Sequence, residues 1–270
     1  MTSRGRSGWP VAVIAAPIAL FLGVPVATLV ARAVIEGSVG ASPTSAVVLD
    51  ALLLSLLTSA VSVALTVLSG LPLAYVLARR SFPGKGLVEA VIDLPIVLPP
   101  SVAGLALLLV FGRRGLLGEP LDLLGVGIPF TTIAVILAQT FVAAPFFIRS
   151  ARTGIATVAR DLEDAARVDG ASERQLFRAI TLPLASASLA AGLVMTWARS
   201  LGEFGATIMF AGNVQGRTQT LPLVVYGSFQ SGSLDSAIAA AAILILAAFA
   251  VLVAVRVFHW TRVLDTRLVV

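Results

Sequence analysis

Six apolar blocks, each long enough to cross about 30 Å of hydrocarbon at about 1.5 Å of rise per residue, leave this chain few ways to fold. They lie near residues 10–31, 47–78, 88–111, 131–149, 184–210 and 236–257. Each is a continuous run, not a ten-residue alternation of apolar and polar side chains, which argues against an outer-membrane barrel and for a bundle of helices. With 58% of 270 residues hydrophobic, 12% charged and a mean hydropathy of +0.99, the fold class is an all-α integral membrane protein with six transmembrane helices. The second block is overlong and is expected to tilt or to extend beyond the bilayer.

The cationic side chains orient the bundle. With the N-terminus in the cytoplasm, fourteen of the nineteen fall on the inner side, among them Arg79, Arg80, Arg149, Arg152, Arg160 and Arg167. Four, Arg32, Arg113, Arg114 and Arg217, fall outside, and Arg199 falls within a span. The positive-inside rule therefore places both termini in the cytoplasm. The first block follows MTSRGRSG, but it is too long for a signal peptide and no polar mature domain succeeds it, so it is read as a helix. The organisation expected is an N-terminal helix and external loop over 1–46, a five-helix core over 47–258 and a cytoplasmic tail over 259–270. The polar segments 32–46, 112–130 and 211–235 face outside.

Side-chain inventory removes several function classes. There is no cysteine and a single histidine, His259, so thiol catalysis, disulfides and His/Cys metal clusters lack material. His259 sits beside Arg256, Trp260 and Arg262 and reads as an interfacial anchor. The net charge of +5 is accounted for by topology and gives no reason to invoke nucleic acid. The fragment Pro83-Gly84-Lys85-Gly86 lacks the first glycine and the terminal Ser/Thr of a phosphate-binding loop, so it reads as a turn, and the chain does not hydrolyse ATP alone.

The most polar window, DLEDAARVDGASERQLFRAITLPLA from Asp161 to Ala185, falls in the cytoplasmic connection between the fourth and fifth spans. Asp161, Glu163 and Asp164 suit the positive end of a helix dipole, and Leu162, Ala165 and Ala166 form a small apolar face. Gly170 offers a left-handed cap, and Ser172 to Gln175 fits the capping-box pattern that opens a second helix, with Leu176, Phe177 and Ile180 on its apolar side. Pro183 suits the first turn of the next span. Helix, glycine hinge and helix in about twenty-five residues exceed what a connector needs. A partner explains the excess.

This hairpin resembles the EAA loop of binding-protein-dependent ABC importer permeases: Asp164-Ala165-Ala166, three residues, Gly170, nine residues, Ile180, one residue, Leu182-Pro183. All spacings agree, and Asp164 replaces the usual Glu, with Glu163 just before it. The resemblance implies a type I importer permease fold. In it, hairpin 161–182, with Glu163, Asp164, Ala165, Ala166, Gly170, Ile180, Leu182 and Pro183, seats in a groove of a separate ATPase subunit. It further implies two ATPase copies carrying ATP and magnesium, no cofactor in this chain and an extracytoplasmic oxyanion-binding protein. Because each chain has one hairpin, a second copy of the chain forms a homodimer. The remaining contact is membrane lipid.

Arg199, Ser200, Glu203 and Thr207 lie in the fifth span within RSLGEFGATIMFAGN, and RTQTLPL comes after it. Arg199, Glu203 and Thr207 share a face at four-residue spacing, so the ionisable pair faces the bundle interior or a water-filled cavity. It is either a structural ion pair or a border of an anion pathway. These motifs resemble the molybdate branch of the importer family and, more distantly, its sulfate permeases; the chemistry of the residues does not separate molybdate from tungstate or sulfate. In the third span, Leu94-Pro95-Ile96-Val97-Leu98-Pro99-Pro100-Ser101 predicts a kinked or broken helix, with Pro99, Pro100 and Ser101 either beside the pathway or at a packing kink. Gln139 and Thr140 are expected in interhelical hydrogen bonds, and Ala187, Ser188, Ala191 and Gly192 in close helix packing.

Overall fold

A computed structural model describes residues 8–35 and 45–267, with side-chain surroundings for 13–35 and 46–253, and every regular element among them is helical. The expected roles of Arg256, His259, Trp260 and Arg262 lie outside the described side chains. Helices α1 (Gly8–Ile35), α2 (Ser45–Arg79), α6 (Thr132–Ala156) and α12 (Leu234–Arg267) are long. Among the described residues five helical stretches are apolar and long enough to cross a membrane, and a bent pair makes a sixth.

The bent pair is α3 (Lys85–Val97) and α4 (Pro100–Phe111), whose axes differ by 118°. Pro99 and Pro100 donate no backbone hydrogen bond, Leu98 before them is extended at φ −66° and ψ 132°, and Pro100 restarts the helix at its first position. Neither half alone spans about 30 Å. Together they must cross, because α2 and α6 run the same way. Arg79 at the end of α2 donates to Val158 O just beyond α6, while at the other side Ser55 of α2 accepts from Leu221 N and Thr132 of α6 donates to Arg217 O.

Helix α6 is the centre of the bundle. On one side Phe147, Ile148, Ala151 and Ile155 pack with Ala74 and Leu77 of α2 and with Ala185 and Leu189 of α9 (Leu182–Leu201). On another, Val135, Ala138 and Val142 pack with Ala103 and Leu107 of α4 and with Ala206 and Phe210 of α10 (Gly205–Ala211). The expected small-residue packing holds at Ser188 and Gly192: Ser150 Oγ donates to Ser188 O at 2.7 Å, and a Cβ on Gly192 would lie 2.8 Å from Ser150 Cβ. Ala187 and Ala191 are exposed instead.

One expectation is corrected. The fifth span is not one helix over 184–210: α9 ends at Leu201, and α10 starts again at Gly205 after Phe204 at φ −128° and ψ −54°. The polar segments expected outside hold helices, a short α5 (Gly118–Leu123) and α11 (Leu221–Gln230); Leu221, Pro222, Leu223 and Val224 are buried, Leu221 and Val224 in a cluster with α2 and α12. The polar RTQT before α11 hid an apolar turn that returns into the bundle.

Candidate functional site: an anchored hairpin and two broken spans

The hairpin forms as its punctuation requires. Helix α7 (Arg160–Val168) ends at Asp169, Gly170 takes φ +85°, and Ser172 caps α8 (Glu173–Leu176) with both halves of the capping box present. Ser172 N donates to Gln175 Oε1 at 2.9 Å. The second helix of the hairpin is not separate from the span after it. Residues Phe177–Thr181 form one π-helical turn, and Leu182, at φ −64° and ψ −47°, carries the helical path into α9 with Pro183 in its first turn. Ile180 and Leu182 are half-buried against the α2, α6 and α9 core.

The anchor of the hairpin is Glu163. Only 2% exposed, its Oε1 accepts from Arg79 Nη2 at 2.5 Å and from Thr181 Oγ1 at 2.9 Å, tying α7 to α2 and to the π turn through one carboxylate oxygen. Asp164, which fills the acidic position of the motif, is 68% exposed and pairs with Arg167 at 2.7 Å. Arg167 also donates through Nε to Glu173 at 2.8 Å, closing the hairpin across Gly170; the Glu173 carboxylate bonded to it, and then Asp164, hold this guanidinium above its usual range.

The small apolar face of α7 is turned the other way from a self-packing hairpin. Leu162 is 51% exposed and Val168 is 88% exposed, Ala165 is exposed and Ala166 half-buried. Glu163 and not the apolar stripe points inward, because its ion pair with Arg79 offsets the desolvation that would otherwise expel it.

In the fifth span, Glu203 belongs to the break between α9 and α10. Its Oε1 accepts from Ala206 N at 2.7 Å, satisfying a donor freed by the restart of the helix. Its Oε2 lies 2.6 Å from Arg199 Nη1, an ion pair by distance without hydrogen-bond alignment. Glu203 is buried, whereas the Arg199 side chain keeps 29% of its surface. Ser200 and Thr207 are buried as well; Ser200 Oγ stands 3.3 Å from Ser62 Oγ, and Thr207 Oγ1 has no partner among the described residues.

The two sequence motifs meet here. A Cβ on Gly205 would lie 2.6 Å from Pro100 Cβ, so the restart of the fifth span abuts the restart of the third. Pro99, Pro100 and Ser101 are all exposed at this junction. Broken helices at membrane depth are tolerated where protein or a cavity covers the freed backbone, and such breaks form transport sites in other folds.

A hydroxyl stripe on α2 was not singled out from the sequence. Ser55, Thr58, Ser59, Ser62 and Thr66 are all fully buried. Thr140 Oγ1 donates to Ser62 Oγ at 3.1 Å, so Ser62 links α6, α2 and α9. The hydrogen bond expected of Thr140 is present, but both amide atoms of buried Gln139 lack a partner among the described residues. The three-to-four-residue spacing of small hydroxyls within a charge-free run was the available signal.

Residues 70–269 match the model of the binding-protein-dependent transport system inner membrane component family. The chain belongs to this family. Within it, the molybdenum transport system permease protein of Mycobacterium tuberculosis is 48% identical over 176 residues, covering 65% of this chain and 67% of that protein. The corresponding Escherichia coli K12 permease is 41% identical, covering 73% of this chain and 87% of its own length. The sulfate transport system permease protein CysW of Synechococcus elongatus is 42% identical, covering 67% and 63%. Among solved structures, a bacterial ABC transporter that imports alginate superposes with a TM-score of 0.74 at 18% identity, over 94% of this chain and 95% of that one. This importer-permease fold is the one expected from the hairpin, and the chain is a multi-pass membrane permease of that family.

Proposed function

We propose that this permease is the membrane subunit of an ATP-driven importer that passes a tetrahedral oxyanion, molybdate, through the cytoplasmic membrane of a prokaryote, with both termini inside. The observation that carries the substrate is the 48% identity to a molybdenum transport permease. A second reading, sulfate, has its own support in the 42% identity to a sulfate permease.

The chain's own residues supply coupling and passage. The exposed Leu162, Ala165 and Val168 of α7 offer an apolar face to the groove of an ATPase subunit, which holds ATP and magnesium. The buried Glu163–Arg79 pair and the unbroken path from α8 through the π turn into α9 let a displacement of that face reach the broken fifth span. Two copies of the chain on two ATPase subunits form the working unit, and an extracytoplasmic binding protein delivers the anion to the opposite face. The passage lies between the copies, bordered by Arg199, Pro99, Pro100 and Ser101. Arg199 attracts a dianion in a low-dielectric passage, and rigid-body rocking alternates access.

The test is uptake into vesicles containing the permease, its ATPase and its receptor. ATP-dependent molybdate accumulation that tungstate competes with and excess sulfate leaves unchanged supports the reading. Competition by sulfate at equal concentration moves the substrate to sulfate, and no ATP-dependent uptake of any of the three overturns the importer assignment.

A further inference from the structure

Between the end of α2 and the hairpin lies a polar cavity of ≈ 350 Å³, the size of a small-ligand pocket. Four of its lining side chains are the guanidinium groups of Arg79, Arg80, Arg160 and Arg167, and three are carboxylates. The carboxylates are already engaged: Glu163 with Arg79, and Asp164 and Glu173 with Arg167. Arg80 and Arg160 line the same cavity and form no ion pair among the described residues. Arg79, whose side chain is 8% exposed, presents a buried Nε with no hydrogen-bond partner among them. Four cations against three anions leave the cavity one positive charge in excess.

The depth of the cavity in the membrane comes from α2. No charged residue separates Asp50 from Arg79, a helical distance of about 43 Å, which matches the thickness of a bilayer including both headgroup layers. Arg79 and Arg80 therefore stand at headgroup depth. Leu65, Leu68, Pro72 and Val76 form one exposed apolar face of α2 that leads to them. An acyl chain lying on this face carries its phosphate to Arg80.

We infer that this cavity binds the phosphodiester headgroup of an anionic membrane lipid, held by Arg80 and Arg160 and bracing the hairpin against α2. A phosphodiester carries one negative charge, which balances the excess in the cavity, and its oxygens suit the planar donors of arginine. Basic pockets at the membrane boundary recognise such headgroups. The inference takes from the proposed function only the leaflet, the inner one; the headgroup depth stands without it.

The experiment uses the permease purified with its ATPase subunit in lipid nanodiscs, and tracks the melting temperature as phosphatidylglycerol is increased in phosphatidylcholine. A saturable rise is expected for the wild type, with inorganic phosphate in phosphatidylcholine discs giving none. In Arg80→Gln and in Arg160→Gln the midpoint should move to about ten-fold more phosphatidylglycerol, the effect of one lost charge-assisted hydrogen bond. The variant Arg174→Gln, on α8 and outside the cavity, should respond as the wild type does. Should either single variant fail to assemble, Arg80→Lys and Arg160→Lys keep the charge, lose the planar fork and should shift the midpoint in the same direction. Equal responses in the wild type and the Arg80 and Arg160 variants overturn the site, as does no response in the wild type; the same rise with inorganic phosphate overturns the lipid as ligand. Neither substrate nor ATP enters the readout, so the result is independent of the uptake test.

Discussion

Gly205 and Pro100 hold the two broken spans in contact: a Cβ on Gly205 would stand 2.6 Å from Pro100 Cβ, closer than carbon atoms tolerate, and 3.3 Å from Pro100 C. The neighbour that would have to yield is a proline ring at the start of α4, with no side-chain rotamer to escape through. Gly205→Ala should therefore lower stability by about 1–3 kcal/mol through overpacking and pull the two restarts apart. Gly86→Ala is the control, since nothing lies within 4 Å of a Cβ there, and should stay within about 0.5 kcal/mol of wild type. Melting temperatures of the two variants check this; equal values would mean the junction is loose enough to accept a methyl group.

Glu163 and Asp164 are neighbours in sequence with opposite surroundings, 2% and 68% exposed. Glu163→Gln removes the charge that compensates buried Arg79, and breaking such a pair costs about 3 kcal/mol. Asp164→Asn loses an exposed pair with Arg167 and should change thermal stability little. On the coupling reading, Glu163→Gln also lowers receptor-stimulated ATP hydrolysis by more than Asp164→Asn does. The reverse order, measured on purified complexes, would return the anchoring role to the acidic residue of the motif.

The sequence carries the fold class because apolar blocks of spanning length are a one-dimensional signal, and it carries the hairpin because Gly170 and the Ser172–Gln175 box are local backbone chemistry. It also carries the proline break, since Pro99-Pro100 excludes two ladder hydrogen bonds wherever it stands. What it hides depends on tertiary partners. Glu163 is distinguished from Asp164 by Arg79, eighty-four residues earlier, and by Thr181, eighteen residues later. The break at Gly202 to Phe204 has no proline to mark it, and the capping of Ala206 N by Glu203 appears only once the chain has turned. The α2 hydroxyls read as ordinary tolerated residues until Ser62 is seen between Thr140 and Ser200.

Gly170 at φ +85° sets the angle between α7 and α8. Nothing lies within 4 Å of a Cβ placed there, so a substitution acts through backbone strain alone. Gly170→Val should cost about 1–2 kcal/mol or shift the residue out of the left-handed region, misaligning the exposed face of α7. Membrane insertion and dimer yield should survive because the spans are untouched. Receptor-stimulated ATP hydrolysis should fall sharply, and unchanged stimulation would count against α7 as the ATPase contact.

Arg199 and Glu203 separate into two roles that a series of variants can read. In Glu203→Gln the amide oxygen still accepts from Ala206 N, so only the charge is lost, and partly exposed Arg199 retains access to water. Glu203→Ala leaves that buried N–H unmet and should cost about 1–2 kcal/mol more. Arg199→Leu strands a buried carboxylate and should be the least stable of the single variants, by about 3 kcal/mol. Combining Arg199→Leu with Glu203→Gln removes both charges, keeps the acceptor and should recover most of the lost stability. If the exposed part of the guanidinium serves the anion, this double variant melts near wild type yet takes up molybdate at least about ten-fold more slowly, since the passage has lost its cation. Uptake at the wild-type rate in a stable double variant would leave Arg199 with the structural role alone and move the anion contact to Pro99, Pro100 and Ser101 of the broken third span.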